Sequence, residues 1–410
     1  MSIVTNTFQF FFNKLINFRK RWIRRVQING QSIEREDARL VKQMLANHLK
    51  RTNHAVIQQY EEEFARLNQL SFAFSFIKGR VALSACISAL DLKPGDKVIL
   101  PAYTCVVVAN AFWFAGIDVH FCDIELDTFG LDFESVQMAL SKESNLKAIV
   151  LQHSYGLVCR DFEKILHLAK ENQLLTIEDC THAFGSTFRG KPVGNWGDLA
   201  FFSSEHSKPF STFCGGMAVT NNEQLAKNLS AFQTRTPFPD HHLTTTMLQN
   251  VLFNYYRKRF NGRPFLYRLF TKKLKRERIS TTTKEEINGE KPADYLQKMP
   301  QELARLGLLQ LHKIESIWQK RRLRTKYWTA WVATQEFHPP HITPESDPIL
   351  LRYPILVSEE MKKNHSWAND LRVEIGVWFI SPLHPSNIDI GRFPNAEKAV
   401  KCCINLPTLW

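Results

Sequence analysis

The sequence predicts an α/β fold in which a mostly parallel β-sheet is covered by helices and followed by a smaller α+β domain. Between residues 72 and 233, short apolar runs alternate with helical stretches of about ten residues, which is typical of a parallel sheet with helices on both faces. The chain has 410 residues, a length at which one hydrophobic core stops growing, so we expect two domains. Its 44% hydrophobic and 23% charged content is that of a globular protein.

The first domain, residues 35–233, contains these elements in regular order. Apolar runs bounded by turn residues predict strands, and apolar residues spaced three and four apart predict helices. Strands are predicted at 72–76, 93–101 (with its turn), 116–123, 148–152, 174–177, 199–202 and 217–219, and helices at 35–69, 81–90, 103–115, 133–140, 162–171 and 222–232.

The alternation ends at residue 234 and resumes in another form near residue 300. Residues 234–299 are predicted to be an insertion in which basic and aromatic residues are interleaved. Residues 300–410 are predicted to form the small C-terminal domain. Its expected elements are a long helix over 302–327, strand-like runs at 350–357 and 377–380, and a helix over 361–375.

The net charge of +13 is concentrated in two segments. Residues 1–30 carry six Lys and Arg and no acid, and residues 241–280 carry ten against Glu277 alone. Within an N-terminal arm, residues 1–34, apolar side chains would share one helix face: Phe8, Phe11, Leu15, Phe18, Trp22 and Val26. Basic amphipathic helices are typical of peripheral membrane binding. Both basic segments therefore predict contact with a membrane surface. Packing on the body or on a partner subunit is the alternative, and nucleic-acid binding is less favoured.

The cysteines and the apolar runs indicate a reduced, cytoplasmic protein. Eight cysteines are present without a Cys-x-x-Cys pair, so we expect neither disulfides nor a metal site. The N-terminus lacks the pattern of a signal peptide, and no apolar run reaches the roughly 18 residues of a membrane-spanning helix. We therefore predict a cytoplasmic location, with peripheral contact at the inner membrane face through the basic segments.

Polar side chains follow several predicted strands where those strands end. Asp179 follows the strand at 174–177, His153 follows another, and Lys208 lies beyond the strand at 199–202. Open α/β sheets build their sites at the carboxyl ends of their strands. An acid and a lysine at this edge predict chemistry at an amine. Gly79 and Arg80 begin a helix, where backbone N–H groups bind phosphates.

These motifs together resemble the sugar aminotransferases of the DegT/DnrJ/EryC1/StrS family, which are pyridoxal-phosphate enzymes of fold type I. Residues 93–101 (Lys-Pro-Gly-Asp-Lys-Val-Ile-Leu-Pro) are similar to the family's Pro-Gly-Asp-Glu-Val-Ile-Val-Pro. Residues 177–185 (Ile-Glu-Asp-Cys-Thr-His-Ala-Phe-Gly) are similar to Ile-Glu-Asp-Ala-Ala-Gln-Ala-His-Gly, and residues 202–208 (Phe-Ser-Ser-Glu-His-Ser-Lys) to Phe-Ser-Phe-Tyr-Pro-Thr-Lys. The likeness covers residues 35–233 and 300–408.

The resemblance implies a role for each matching residue. Lys208 would bind pyridoxal 5'-phosphate covalently and then move protons, and Asp179 would pair with its pyridine nitrogen. Ser203, Gly79 and Arg80 would hold the phosphate. His182 would replace the glutamine that reaches the phenolic oxygen. His153, Tyr155 and His384 are further candidates for substrate contact.

Two departures bear on the substrate. Cys105 stands where the family usually places an aromatic ring over the cofactor, and the Asn-x-Arg-Met stretch that feeds the partner subunit's site is not visible in 234–299. Lys208 itself argues against the family's dehydratases, in which histidine replaces this lysine.

The resemblance implies an aminotransferase that moves an amino group, from glutamate, to a keto-sugar on a nucleotide or lipid carrier, and that acts as a homodimer. Its products would serve polysaccharide or secondary-metabolite biosynthesis. Two alternatives stay open. One is a pyridoxal-phosphate enzyme acting on a non-sugar ketone or aldehyde, and the other is a basic membrane- or nucleic-acid-binding protein on the same scaffold.

Overall fold

The computed structural model describes residues 26–29, 32–47, 54–261, 263–272, 274, 279 and 281–410. Most of the predicted N-terminal helix therefore lies outside the described residues. Within them, Val26 pairs with Val373 of the C-terminal half.

A seven-stranded sheet forms the centre of the molecule. Its strands run in the spatial order β1-β10-β9-β6-β5-β2-β4, and β10 alone is antiparallel to its neighbours. The strands are β1 (Phe72–Phe76), β2 (Lys97–Pro101), β4 (Asp118–Cys122), β5 (Leu146–Gln152), β6 (Leu175–Asp179), β9 (Leu199–Ser203) and β10 (Gly216–Thr220). The predicted mostly parallel sheet is confirmed.

Helices cover this sheet and connect its strands. In chain order they are α1 (Arg35–Asn47), α2 (His54–Leu67), α3 (Gly79–Ala89), α4 (Val106–Trp113), α5 (Phe133–Lys142), α6 (Phe162–Glu171) and α7 (Glu223–Arg235). In α6, Phe162, Ile165 and Ala169 are buried at spacings of three and four, so that this helix turns one apolar face to the core. Strands β9 and β10 are buried at every position, as expected for strands covered on both faces.

Three short strands lie outside the sheet in the first half of the chain: β3 (Thr104–Cys105), β7 (Thr187–Phe188) and β8 (Lys191–Pro192). The second half contains α8 (His241–Arg259), α9 (Pro264–Thr271), α10 (Lys284–Ile287), α11 (Gln301–His312), α12 (Ile314–Val332), β11 (Ser346–Asp347), β12 (Arg352–Leu356), α13 (Glu359–Lys363), β13 (Leu383–His384), α14 (Pro394–Cys402) and β14 (Cys403–Pro407). Strands β12 and β14 pair antiparallel. Strand β13 pairs parallel with β3 and so joins the small domain to the segment that follows β2.

The boundary predicted at residue 300 does not coincide with the division between the two cores. Leu303, Leu306 and Leu311 of α11 pack in the core of the large sheet, whereas the second core takes Trp328 from α12. The predicted helix over 302–327 is interrupted at Lys313, which lies between α11 and α12. The first core therefore includes the beginning of the segment 300–410 that the sequence predicts to be the small domain.

Two predicted elements of the small domain are wrong in form. Residues 377–380 are not a strand, because their backbone bonds to tyrosine hydroxyls instead of a neighbouring strand. The Tyr155 hydroxyl donates to the Trp378 carbonyl at 2.7 Å, and the Phe379 N–H donates to the Tyr103 hydroxyl at 3.1 Å. The predicted helix over 361–375 is shorter, with α13 followed by a 3-10 helix at His365–Leu371.

The basic insertion is partly core. Met247, Leu248, Val251 and Leu252 of α8 pack in the core of the large domain.

In the described part of the chain, no helix is both long and apolar enough to cross a membrane. All eight cysteines are unpaired thiols.

We expect Gly307→Ala to destabilise the protein. Alanine normally favours a helix over glycine by about 1 kcal/mol, but at Gly307 its methyl group would overlap the Tyr60 ring. Overpacking of this kind costs about 1–3 kcal/mol. In Gly95→Ala, the control, the methyl meets nothing within 4 Å at a φ of +88°, so only the backbone cost of about 1 kcal/mol remains. If urea unfolding shows Gly307→Ala to be as stable as the wild-type protein or more stable, the packing of α11 on α2 is contradicted.

Candidate active site

The carboxyl ends of β5, β6 and β9 meet at a cavity of about 280 Å³. Most of the residues predicted for the site line this cavity together: Gly79, Arg80, Cys105, His153, Asp179, His182, Ser203, Lys208 and His384. They come from six separate parts of the chain, and the fold brings them together at the expected edge of the sheet.

Asp179 is the last residue of β6 and is 4% exposed. One of its carboxylate oxygens accepts the Thr181 N–H at 2.9 Å. Burial raises its pKa, while the Thr181 hydrogen bonds and the charge of Lys208 act in the opposite direction. A buried carboxylate of this kind is stabilised as an anion by a cationic partner.

Lys208 lies on the loop after β9. Hydrogen bonds to Glu205 hold this loop in shape. The Ser207 N–H and hydroxyl donate to one Glu205 carboxylate oxygen at 2.9 and 2.6 Å, and the Lys208 N–H donates to the Glu205 carbonyl at 2.9 Å. Burial raises the pKa of Glu205, but His206, Ser207 and Lys208 lower it to about 2 overall. Burial lowers the pKa of Lys208, against the charges of Glu205 and Asp179. A lysine with a lowered pKa is a better nucleophile and proton carrier.

His182 is held in one tautomer. Its Nδ1 accepts the Tyr155 N–H at 3.3 Å, so the ring hydrogen is on Nε2. Burial and the charges of Lys208 and Arg352 lower its pKa well below the ordinary value. His182 is therefore a neutral hydrogen-bond donor at the cavity wall.

Tyr155 does not line the cavity, which corrects its predicted substrate contact. It is 1% exposed, and its ring stacks on His182 with centroids 6.1 Å apart. Its hydroxyl also lies 2.9 Å from that of Tyr103. Tyr155 supports His182 from behind, because its buried ring stacks on the imidazole.

His153 is placed by a buried carboxylate. Its Nε2 lies 3.0 Å from Glu178, whose oxygens also accept the N–H groups of Gly194, Trp196 and Gly197 at 2.6–2.8 Å. Although burial raises the pKa of Glu178, these partners lower it overall. The other ring nitrogen of His153, Nδ1, is buried without a hydrogen-bond partner among the described residues.

His153, Glu178 and Cys180 are close enough to be considered as metal ligands. Glu178 is already satisfied by backbone N–H groups, and burial raises the pKa of the Cys180 thiol well above its usual value. A protonated thiol is a poor ligand. We interpret the three residues as a hydrogen-bonded cluster that orients His153.

At the opposite end of the cavity, α3 begins at Gly79 with no side chain capping its first turn. A Cβ at Gly79 would lie 3.0 Å from the Cβ of Ser203, so glycine allows the helix start and β9 to approach closely. Free N–H groups at a helix start together with a hydroxyl form an anion-binding site. The guanidinium of Arg80 points elsewhere, to the Glu286 carboxylate and the Thr281 carbonyl.

The small domain closes the third side of the cavity. Through the pairing of β13 with β3, His384 lies in register with Cys105. The His384 ring stacks on Phe379 with centroids 5.1 Å apart. Burial, together with Arg352, Lys208 and Lys362, lowers the pKa of His384 to about 4. Cys105 lines the cavity where an aromatic ring was expected, and burial raises the pKa of its thiol.

Sequence reasoning missed Lys78, Glu205 and Arg352. Lys78 lines the cavity beside Gly79, and its place next to that glycine was a usable signal. Glu205 lies three residues before Lys208, but its role depends on how the loop folds. Arg352 is 1% exposed, with its guanidinium 3.3 Å from the centre of the Trp378 ring. The charge of Arg352 contributes to the lowered pKa of His182 and His384. Its position inside an apolar strand gives no local sign of this effect in the sequence.

The comparison with protein families decides what this site belongs to. The DegT/DnrJ/EryC1/StrS aminotransferase family matches residues 31–251 and 267–409. The chain belongs to this family. The resemblance found in the sequence is thereby confirmed. The two matched parts are separated by residues 252–266, which lie inside the predicted insertion 234–299.

Similar proteins include nucleotide-sugar enzymes. GDP-perosamine synthase of Escherichia coli O157:H7 is 38% identical over 169 residues, which are 41% of this chain and 46% of that protein. The chain thus spans about half the length of the curated relatives it matches.

Solved structures confirm fold type I. NtdA from Bacillus subtilis, with bound cofactor PMP, has a TM-score of 0.69 at 20% identity, over 92% of this chain and 78% of that one. The dehydratase ColD, a variant with bound GDP-perosamine, has a TM-score of 0.70 at 18% identity, over 93% of this chain and 95% of that one. Since aminotransferase and dehydratase share this fold, the reaction must be argued from the site.

The residues present fit pyridoxal phosphate. The helix start at Gly79 with Ser203 suits a phosphate, Asp179 suits a protonated ring nitrogen, and Lys208 suits a carbonyl carbon. The Nε2–H of His182 suits a phenolic oxygen. Between them, the buried and unpartnered Nδ1 of His153 marks a polar position on the cavity wall.

We expect the protein to lose stability between about pH 6.5 and pH 4, in part through His384. Its pKa in the fold is about 4, whereas an unfolded histidine titrates near 6.5. Between these values the unfolded chain binds more protons, so falling pH favours unfolding. Urea unfolding at about pH 7.5 and pH 5 should show a smaller pH-dependent loss for His384→Asn than for the wild type. The same substitution at exposed His167 is the control, and equal losses in wild type and His384→Asn would contradict the lowered pKa.

Proposed function

We propose that the protein is a pyridoxal-phosphate-dependent aminotransferase that moves an amino group from glutamate to a keto-sugar carried by a nucleotide or a lipid. The observation that carries this proposal is the placement of Lys208 and Asp179 on the wall of one cavity. An aminotransferase needs a lysine there as proton carrier, and the dehydratases that share the fold are expected to lack it.

When bound, the cofactor supplies an electron sink that stabilises negative charge on the carbon bearing the amine. Asp179 would keep the ring nitrogen protonated, since its buried carboxylate requires a cationic partner. Lys208 Nζ would take the proton from the amine-bearing carbon and deliver it to the cofactor's C4′ carbon, on the other side of the nitrogen, a task that its lowered pKa assists. Neutral His182 would donate to the phenolic oxygen without adding a competing charge.

The sugar acceptor is supported by the relatives. GDP-perosamine synthase acts in nucleotide-sugar chemistry by its name, and ColD was solved with bound GDP-perosamine. His384, with a pKa of about 4, is neutral near neutral pH and provides hydrogen-bonding capacity for sugar hydroxyls at the small-domain side. Polysaccharide or secondary-metabolite biosynthesis is the corresponding role. A homodimer, implied by the family resemblance, is proposed as the working form.

We also propose that the enzyme acts in the cytoplasm with peripheral contact at the inner membrane face. In α9, Phe265 is 78% exposed, Leu269 58% and Phe270 47%. Exposed basic residues lie within α9 and on both sides of it in the sequence: Arg257, Arg259, Arg263, Arg268 and Lys272. Aromatic side chains flanked by cations suit an anionic lipid surface, where each basic residue contributes about 1 kcal/mol.

We predict that the purified protein shows the visible absorption band of lysine-bound cofactor. Lys208→Ala should remove this band and lower amino transfer from glutamate by about 10²- to 10⁴-fold or more, because the proton carrier is lost. Lys170→Ala, at an exposed helical lysine, is the control and should keep both. A band that is unchanged in Lys208→Ala would refute the assignment of this lysine.

The acceptor is tested with the wild-type protein whose cofactor has first received the amino group from glutamate. Candidate ketones are then added, and the rate of amino transfer to each is measured. Rapid transfer to nucleotide-linked keto-sugars, compared with simple keto acids and aldehydes, supports the proposed substrate. Preference for the simple compounds would favour the non-sugar alternative.

For the membrane surface, we expect sedimentation with phosphatidylserine vesicles that weakens as salt is added. Phe265→Ser/Leu269→Ser and a version lacking residues 1–30 should each pellet less, because apolar area or positive charge is removed. Met138→Ser, at an exposed methionine elsewhere, is the control. Equal, salt-insensitive pelleting of all versions would rule out both segments as membrane-binding surfaces.

A further inference from the structure

Two basic side chains flank Gly79 at the phosphate end of the cavity, and the structure gives them different surroundings. Lys78 and Arg80 both line the cavity. The Arg80 guanidinium pairs with the Glu286 carboxylate and donates to the Thr281 carbonyl. The two side chains of this ion pair are only 8% and 2% exposed. The positive charge of Arg80 is therefore neutralised by a buried carboxylate and is not available to an anion.

Glu286 belongs to α10, which is fixed on several sides. Thr283 and Glu286 form a reciprocal capping box. The Asn110 side-chain amide of α4 donates to the Glu286 carbonyl at 2.7 Å, and the Ser386 hydroxyl of the small domain donates to the Ile287 carbonyl at 2.7 Å. Arg80 thus ties the helix start at Gly79 to a segment that bridges both domains.

Lys78 is in a different position. It is the N-cap residue of α3, has extended backbone angles, and makes no capping hydrogen bond with its side chain. Within the described part of the chain, no carboxylate lies within 4.0 Å of its ammonium. Burial and the charge of Arg80 lower its pKa, while Cys214, Glu286 and Asp294 act in the opposite direction. An ammonium that has lost water without gaining a carboxylate favours an incoming anion.

We propose that Lys78 supplies the positive charge for the cofactor phosphate, and that Arg80 is a positioning residue that holds α10 against the helix start. The inference rests on the proposed pyridoxal-phosphate function. Lys78 adds a point charge to the first-turn N–H groups of α3 and the hydroxyl of Ser203, which the absence of a Cβ at Gly79 brings within reach. This division of roles replaces the sequence-based prediction that Arg80 contacts the phosphate through its charge.

The test compares binding of pyridoxal phosphate and of pyridoxal, which lacks the phosphate, to the apoprotein by quenching of tryptophan fluorescence. Lys78→Met should weaken binding of pyridoxal phosphate by about ten-fold or more and leave pyridoxal unchanged. Lys78→Arg should restore most of the affinity. Arg80→Met should weaken both ligands by the same factor, because it loosens α10 without removing a phosphate contact. Circular dichroism of each variant checks that it is folded.

Unchanged binding of pyridoxal phosphate by folded Lys78→Met, or equal weakening of both ligands, would overturn the role of Lys78. Phosphate-selective weakening in Arg80→Met would overturn the role of Arg80. If the wild-type apoprotein binds neither ligand, the proposed function itself fails, and this assignment with it. A wild type that binds pyridoxal phosphate but transfers no amino group leaves the Lys78 comparison intact, so the two failures are distinguishable.

Discussion

The buried carboxylate of Glu178 is the interaction on which the geometry of the site depends. It accepts hydrogen bonds from three backbone N–H groups of residues 194–197 and from His153. Because neighbouring residues of a strand point to opposite faces, anchoring Glu178 on one side of β6 directs Asp179 toward the other. Loss of this anchor would leave several buried N–H groups unpaired, which is costly. The most polar part of the core thereby orients the acid that the chemistry requires.

The two domains meet through hydroxyl groups of tyrosine. Tyr103 and Tyr155 bond to each other and to the backbone of Trp378 and Phe379, and this backbone carries side chains that line the cavity. Tyr155 at the same time supports His182 from behind. The two tyrosine hydroxyls thus fix the wall contributed by the small domain, while the backbone N–H of Tyr155 fixes the tautomer of His182 on the large domain.

The insertion has two parts with different physical roles. Helix α8 buries apolar side chains in the large core, and α10 pairs with Arg80 at the start of α3. Between them, α9 leaves aromatic side chains in solvent among basic residues. Globular proteins normally expose only small contiguous apolar areas. The exposed apolar face of α9 is the feature on which the proposed membrane contact rests.

The order of strands and helices, the polar residues at the strand ends and the family resemblance were all determined by the sequence, because periodicity and local motifs report directly on neighbouring residues. The candidate roles of Lys208, Asp179, Gly79 and Ser203 followed from the same motifs. Three features are visible only in the tertiary structure. Tyr155 lies behind His182, Arg80 is paired with a carboxylate whereas Lys78 is not, and α11 packs in the first core. Each of these depends on contacts between residues far apart in the chain, such as Arg80 and Glu286, whose pairing leaves no periodic signal in either segment. Local pattern determined the fold and the chemistry, and long-range packing decided which side chain serves each part of the site.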